Sequence, residues 1–131
     1  LPKETAIAIY KQRYWQDPRL DKVAEYSPRI AEELLDTGVN MGVGTASKFL
    51  QRALNTLNAE GKYYPDITVD GAIGQMTLAS LKAFLAYRGD NGHVVLVRML
   101  NALQGVRYIE IAEAKPSQEA FIYGWFLSRV A

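Results

Sequence analysis

No cysteine occurs in the 131 residues, so disulfide frameworks, thiolate zinc sites and cysteine nucleophiles are excluded. There is one histidine, His93. A multi-histidine metal site cannot be built from it, and any Ser-His-Asp triad would have to use it. Neither sign of charge is in excess. Fifteen Lys and Arg stand against 14 Asp and Glu, a formal net charge of +1, which counts against a dedicated nucleic-acid binder. No apolar run approaches the ~20 residues of a membrane-spanning helix. No basic and apolar leader opens the chain, so no signal peptide is visible. The remaining composition, 49% hydrophobic and 22% charged, is that of an ordinary globular domain with room for a core. The first residue is Leu1 rather than Met, which reads as the start of a trimmed or processed product.

Periodicity predicts helices throughout. Pro2 pre-sets the first, with Ala6, Ile7, Ile9, Tyr10 and Tyr14 at helical spacing, and Asp17-Pro18 ends it. Residues 19–26 read as a surface connection. Ser27-Pro28 is a second helix start, followed by the apolar stripe Ile30, Leu34, Leu35 and Val39. The run Asn40-Met41-Gly42-Val43-Gly44 breaks it. From Thr45, the residues Ala46, Phe49, Leu50, Ala53, Leu54 and Leu57 share one face, with Gln51 off it. Residues 58–70 read as a loop holding Tyr63 and Tyr64. Ile67-Thr68-Val69 is too short to found a sheet. Further helices are predicted over 77–87 and 94–114, separated by a turn at Gly89-Asp90-Asn91-Gly92, with Gly105 a weak point in the second. Ser117 is placed to cap a last helix anchored by Phe121, Ile122, Trp125 and Phe126. About six helices and no sheet make an all-α chain, read as a single helical domain over 1–131.

Three local patterns bear on chemistry. Tyr14 and Trp15 stand at a proline turn, where two aromatic faces suit the CH-rich face of a sugar, although the large area of a Trp favours a core anchor. Asp36 and Asn40 are one helical turn apart ahead of glycines. They suit hydrogen bonding to glycan hydroxyl and acetamido groups, or a solvated acid and a helix cap. Asp70-Gly71-Ala72-Ile73-Gly74-Gln75-Met76-Thr77 reads as a structural turn: the Asp70 carboxylate accepts backbone N–H groups, Gly71 and Gly74 admit tight geometry and Thr77 closes the motif. A phosphate loop would need a lysine and a preceding strand, and neither is present. His93 reads as an exposed residue at a helix start, and Glu110 with Glu113 as a solvated face.

The residues Ala6 to Tyr10, Tyr14-Trp15, Asp36 to Gly42, Phe49 to Leu54, Asp70 to Gly74 with Thr77, and Phe121 to Val130 occur in the order found in glycoside hydrolase family 108, which the chain resembles along its whole length. The resemblance implies a lysozyme-like helical fold. It implies a phage-derived N-acetylmuramidase of the endolysin or secretion-activator type, acting on periplasmic peptidoglycan glycan strands without metal or organic cofactor. The chain corresponds to the family's C-terminal peptidoglycan-binding region and the helices before it. The family's catalytic glutamate, in a Glu-Gly-Gly motif, is expected upstream of Leu1; Glu60-Gly61 does not reproduce that motif. No carboxylate here is assigned as the catalytic acid. Tyr14, Trp15, Asp36, Asn40 and Gln51 are the expected substrate contacts, and Asp70, Gly71, Gly74 and Thr77 the structural motif. A non-catalytic wall-binding module and a helper that contacts a secretion partner are the alternatives. Self-association near Tyr10 and Tyr14 is expected if a covering segment is missing.

Overall fold

The computed structural model describes residues 2–129. Leu1, where the family resemblance opens, and Val130, in its closing segment, lie outside that range. Seven α-helices and no strand occur among the described residues. They are α1 (Lys3–Lys11), α2 (Leu20–Tyr26), α3 (Pro28–Met41), α4 (Val43–Thr56), α5 (Gln75–Arg88), α6 (Asp90–Ala114) and α7 (Glu119–Ser128).

A wide helical turn, Gln12–Gln16, follows α1, and the Asp17 N–H reaches back five residues to the Gln12 carbonyl at 2.8 Å. The segment expected to be a surface connection is instead α2. It is helical because Leu20 and Val23, three apart, are both buried. Ser27 caps α3 as expected, its Oγ accepting from the Ile30 N–H at 3.2 Å with Pro28 in the first turn. The predicted four-residue turn shrinks to Gly89 alone, and α6 begins at Asp90. Ser117 sits in a 3₁₀ turn, Pro116–Gln118, and does not cap α7.

One apolar cluster runs through α2 to α6 and the loop between α4 and α5. Ile30 and Leu34 of α3, Leu50 and Leu54 of α4, Leu81 and Phe84 of α5, and Leu96 and Leu100 of α6 are all sealed from solvent. Burying a side chain of this size stabilises by roughly 1.5–3 kcal/mol each. The two ends differ from this body. No residue of α1 and none of α7 is fully buried. The α1 residues Ile7, Ile9 and Tyr10 are about half exposed. α7 packs on α6 where Gly105 lets it approach, since a Cβ there would lie 3.3 Å from Phe126 Cε1 and 3.7 Å from Trp125 Cζ3. Gly105 is thus a contact point inside a continuous helix rather than a break.

Candidate functional site

Two polar centres stand on this scaffold. The first is the loop from Asp70 to Thr77 folded against α4. Gln51 is 1% exposed, and its Nε2 faces three acceptors: Asp70 Oδ1 at 3.0 Å, the Ala72 carbonyl at 3.0 Å and Thr77 Oγ1 at 3.1 Å. Its Oε1 accepts from the Gly71 N–H at 2.9 Å. Gln51 was expected to meet sugar; its amide is instead occupied in holding the loop, because the turn buries backbone groups that need partners. Asp70 Oδ1 also accepts from the Ala72 N–H at 3.0 Å. That backbone bond, with Gln51, holds the Asp70 carboxyl below its ordinary range. Gly71 has φ +79°, and a Cβ there would lie 3.3 Å from the Gly44 carbonyl oxygen, so both backbone angle and space demand glycine. A groove of about 470 Å³ opens beside the loop, lined by Asp66, Thr68, Asp70, Gln75 and Met76 among others.

The second centre is the junction of α3, α6 and the end of α7. Asp36 Oδ2 accepts from Gln104 Nε2 at 3.3 Å and pairs with Arg129 Nη1 at 2.6 Å. Gln104 is fully buried, and its Oε1 meets the Thr37 hydroxyl, which lies 3.0 Å from the Glu33 carbonyl oxygen. The Arg129 guanidinium also sits 4.4 Å from the centre of the Trp125 ring. Glu33 is a half-buried carboxyl raised above its ordinary value. Burial is the main cause, Arg129 pulls it back and Asp36 adds to the rise. Its Oε1, Asn101 Oδ1 and Trp125 Nε1 are buried without a hydrogen-bond partner among the described residues.

The sequence-predicted contacts are divided by the fold. Trp15 is half-buried and packs on the core. Tyr14 is half-buried, with its ring 4.8 Å from that of Tyr10. Asp36 is half-buried at the second centre, and Asn40 is exposed near the end of α3. Asn40 does not cap the helix, whose last residue is Met41 with Gly42 beyond it. Gln51 belongs to the other centre. His93 is not exposed as expected: it is half-buried, with Nδ1 2.8 Å from Ser27 Oγ. Glu33, Gln104 and Arg129 were missed. A usable signal existed for Glu33, since Ile30, Glu33, Leu34 and Thr37 trace one helical face. No group of three metal-ligating side chains stands together among the described residues.

Residues 45–130 match the family described as Predicted Peptidoglycan domain, spanning α4 to α7 and the loop held by Gln51. The chain belongs to that family. Ahead of this peptidoglycan domain, residues 1–42 match Glycosyl hydrolase 108. No curated protein matches the chain. The two matches reproduce the arrangement that the sequence resemblance implied, and they assign a peptidoglycan-related, lysozyme-like role at the cell wall. The seam between them falls at Gly42, in the break between α3 and α4. The core does not divide there: α3 of the hydrolase segment and α4 of the peptidoglycan domain contribute to the same apolar cluster. No helix among the described residues is long and apolar enough to cross a membrane.

Proposed function

We propose that the chain is the body of an N-acetylmuramidase that cuts the β-1,4 bond between N-acetylmuramic acid and N-acetylglucosamine. The observation that carries this reading is the consecutive match to Glycosyl hydrolase 108 and the peptidoglycan domain across one shared core. Cutting requires an acid to protonate the leaving oxygen. Glu33 has the raised affinity for a proton that such an acid needs. It does not line the groove beside the Asp70 loop, and its neighbour Asp36 is neutralised by Arg129. The acid is therefore assigned to the Glu-Gly-Gly glutamate implied by the family resemblance, outside these residues. Within the chain, the aromatic pair Tyr10 and Tyr14, Asn40 and the open edge of Asp36 contact the glycan, and Trp15 holds the turn that presents Tyr14. The activity belongs in the periplasm, as part of a phage-derived endolysin or secretion system. Uncovered α1 supports self-association through Ile7, Ile9 and Tyr10.

The test is release of reducing ends from purified peptidoglycan. The 131-residue chain is expected to release none, whereas a parent carrying the Glu-Gly-Gly motif releases them and its Glu33→Gln variant still does. Turnover by the chain alone, abolished by Glu33→Gln, would reverse the assignment of the acid. The match over 45–130 also favours a second reading, a wall-binding module without turnover. Retention on insoluble peptidoglycan with an inactive parent selects that reading.

A further inference from the structure

The loop after α4 and the end of α5 bring together a group of side chains that neither polar centre uses. Tyr63 and Tyr87 stack with ring centres 3.5 Å apart and planes 23° from parallel. Each ring carries a cation. Lys62 Nζ lies 5.4 Å from the Tyr63 ring centre, and the Arg88 guanidinium 4.6 Å from that of Tyr87. Two sequence neighbours from a loop and two from a helix end thus form one layered patch: ammonium, phenol, phenol, guanidinium. Tyr87, Lys62 and Arg88 are exposed and Tyr63 is half-exposed.

Neither Lys62 nor Arg88 has an ion-pair partner among the described residues, where the pairs are Arg107 with Glu110 and Arg129 with Asp36. The nearby Asp66 is engaged by Asn58, whose Nδ2 donates to its Oδ1 at 2.6 Å. Both cations act on the same phenol. Tyr63 is drawn below its ordinary value first by the Tyr87 hydroxyl, then by Lys62 and Arg88. Tyr87 is pushed the other way by its bond to Tyr63, so a negative charge is favoured at the Tyr63 oxygen. Stacking on aromatic faces fixes the cations in place, so less side-chain freedom is lost when an anion arrives. The two cations cap opposite faces of the stack, so each end offers one cation beside a phenol hydroxyl, a donor pair that an oxyanion takes.

We infer that Lys62, Tyr63, Tyr87 and Arg88 form a two-ended oxyanion-binding subsite, one cation at each end of the stack, through which the chain grips successive acidic groups of the wall polymer. The inference rests on the peptidoglycan reading above. Two wall groups share the chemistry, the free carboxylates of the stem peptide and the phosphates of attached polymers. A single such site in water is weak, and a polymer that repeats the anion supplies the retention by avidity.

The experiment is co-sedimentation of the full 131-residue chain with purified insoluble walls. Wild type is compared with Lys62→Gln/Arg88→Gln, and with Lys82→Gln/Arg98→Gln as a charge-matched control on exposed positions of α5 and α6. Circular dichroism checks each fold. At low salt, the first variant is expected to lose at least fivefold in retention and the control to change by less than twofold. Walls stripped of phosphate polymers with hydrofluoric acid, and walls whose carboxylates are amidated, identify the source. Loss on amidation alone assigns the carboxylate, and loss on stripping alone the phosphate; either supports the inference. Wild-type retention that neither treatment nor Lys62→Gln/Arg88→Gln reduces overturns the subsite while leaving the peptidoglycan reading intact. Equal loss in the control variant reduces it to general charge and also overturns it. No wild-type retention on any wall overturns both.

Discussion

An aspartate, a glutamine and a threonine form the heart of each polar centre, yet the two trios end in different states. Around Gln51 the amide is met by Asp70, Thr77 and two backbone groups. Around Gln104 the same residue types join two helices, but Asp36 finishes on Arg129 from the chain's far end, and three buried polar atoms nearby have no partner among the described residues. The difference lies in what supplies the partners. A loop brings free backbone N–H and C=O groups to the glutamine. Helices have already used theirs internally, so side chains must meet side chains. A closed network fixes one conformation, whereas an open one leaves groups available to water, a ligand or a proton.

The comparison is broken most severely by Gln51→Leu. It strands the Gly71 N–H and the inward side of Asp70, and we expect a loss of about 3 kcal/mol in urea unfolding. A loss below that of Arg129→Ala would show the loop network to be the weaker one. Next comes Gly105→Val, which drives a side chain into Phe126 and Trp125. About 2 kcal/mol of destabilisation is expected, with a red-shifted tryptophan emission as α7 lifts. Arg129→Ala removes the Asp36 pair and the contact on Trp125, both partly open to solvent, and is expected to cost about 1 kcal/mol.

The smallest effects sharpen the contrast through pH. Glu33 holds its proton more tightly folded than unfolded, so its contribution is present below its ordinary 4.5 and is lost as pH rises through the raised value. Glu33→Gln should therefore raise the melting temperature at pH 7, by less than Arg129→Ala lowers it, and the gain should vanish below pH 4.5. Asp70 behaves oppositely. Its contribution is present above its ordinary 3.8 and is lost as pH falls through the depressed value. Asp70→Asn should therefore lower the melting temperature at pH 7, with the deficit closing in strong acid.

The closed centre was more legible in sequence than the open one. Asp70-Gly71 announces its turn within eight residues, and the carboxylate does accept a backbone N–H as that pattern predicts. Its anchor was not legible: Gln51 lies beside the apolar stripe of α4, and only the fold shows the loop closing over it. The Asp36 to Arg129 pair joins α3 to the chain's far end, which no local spacing encodes. α3 and α4 declared themselves through a cap and long stripes. α2 escaped because seven residues with two buried positions give too little periodicity to see.

Gly42 marks the seam between two family segments, but it is a hinge in sequence only. Severing the chain there would leave Phe49, Leu50 and Leu54 facing water where Ile30 and Leu34 had been. The hydrolase segment and the wall-recognition segment therefore cannot be shuffled like beads on a string. A recombinant that swaps one must inherit, or redesign, the apolar surface of the other.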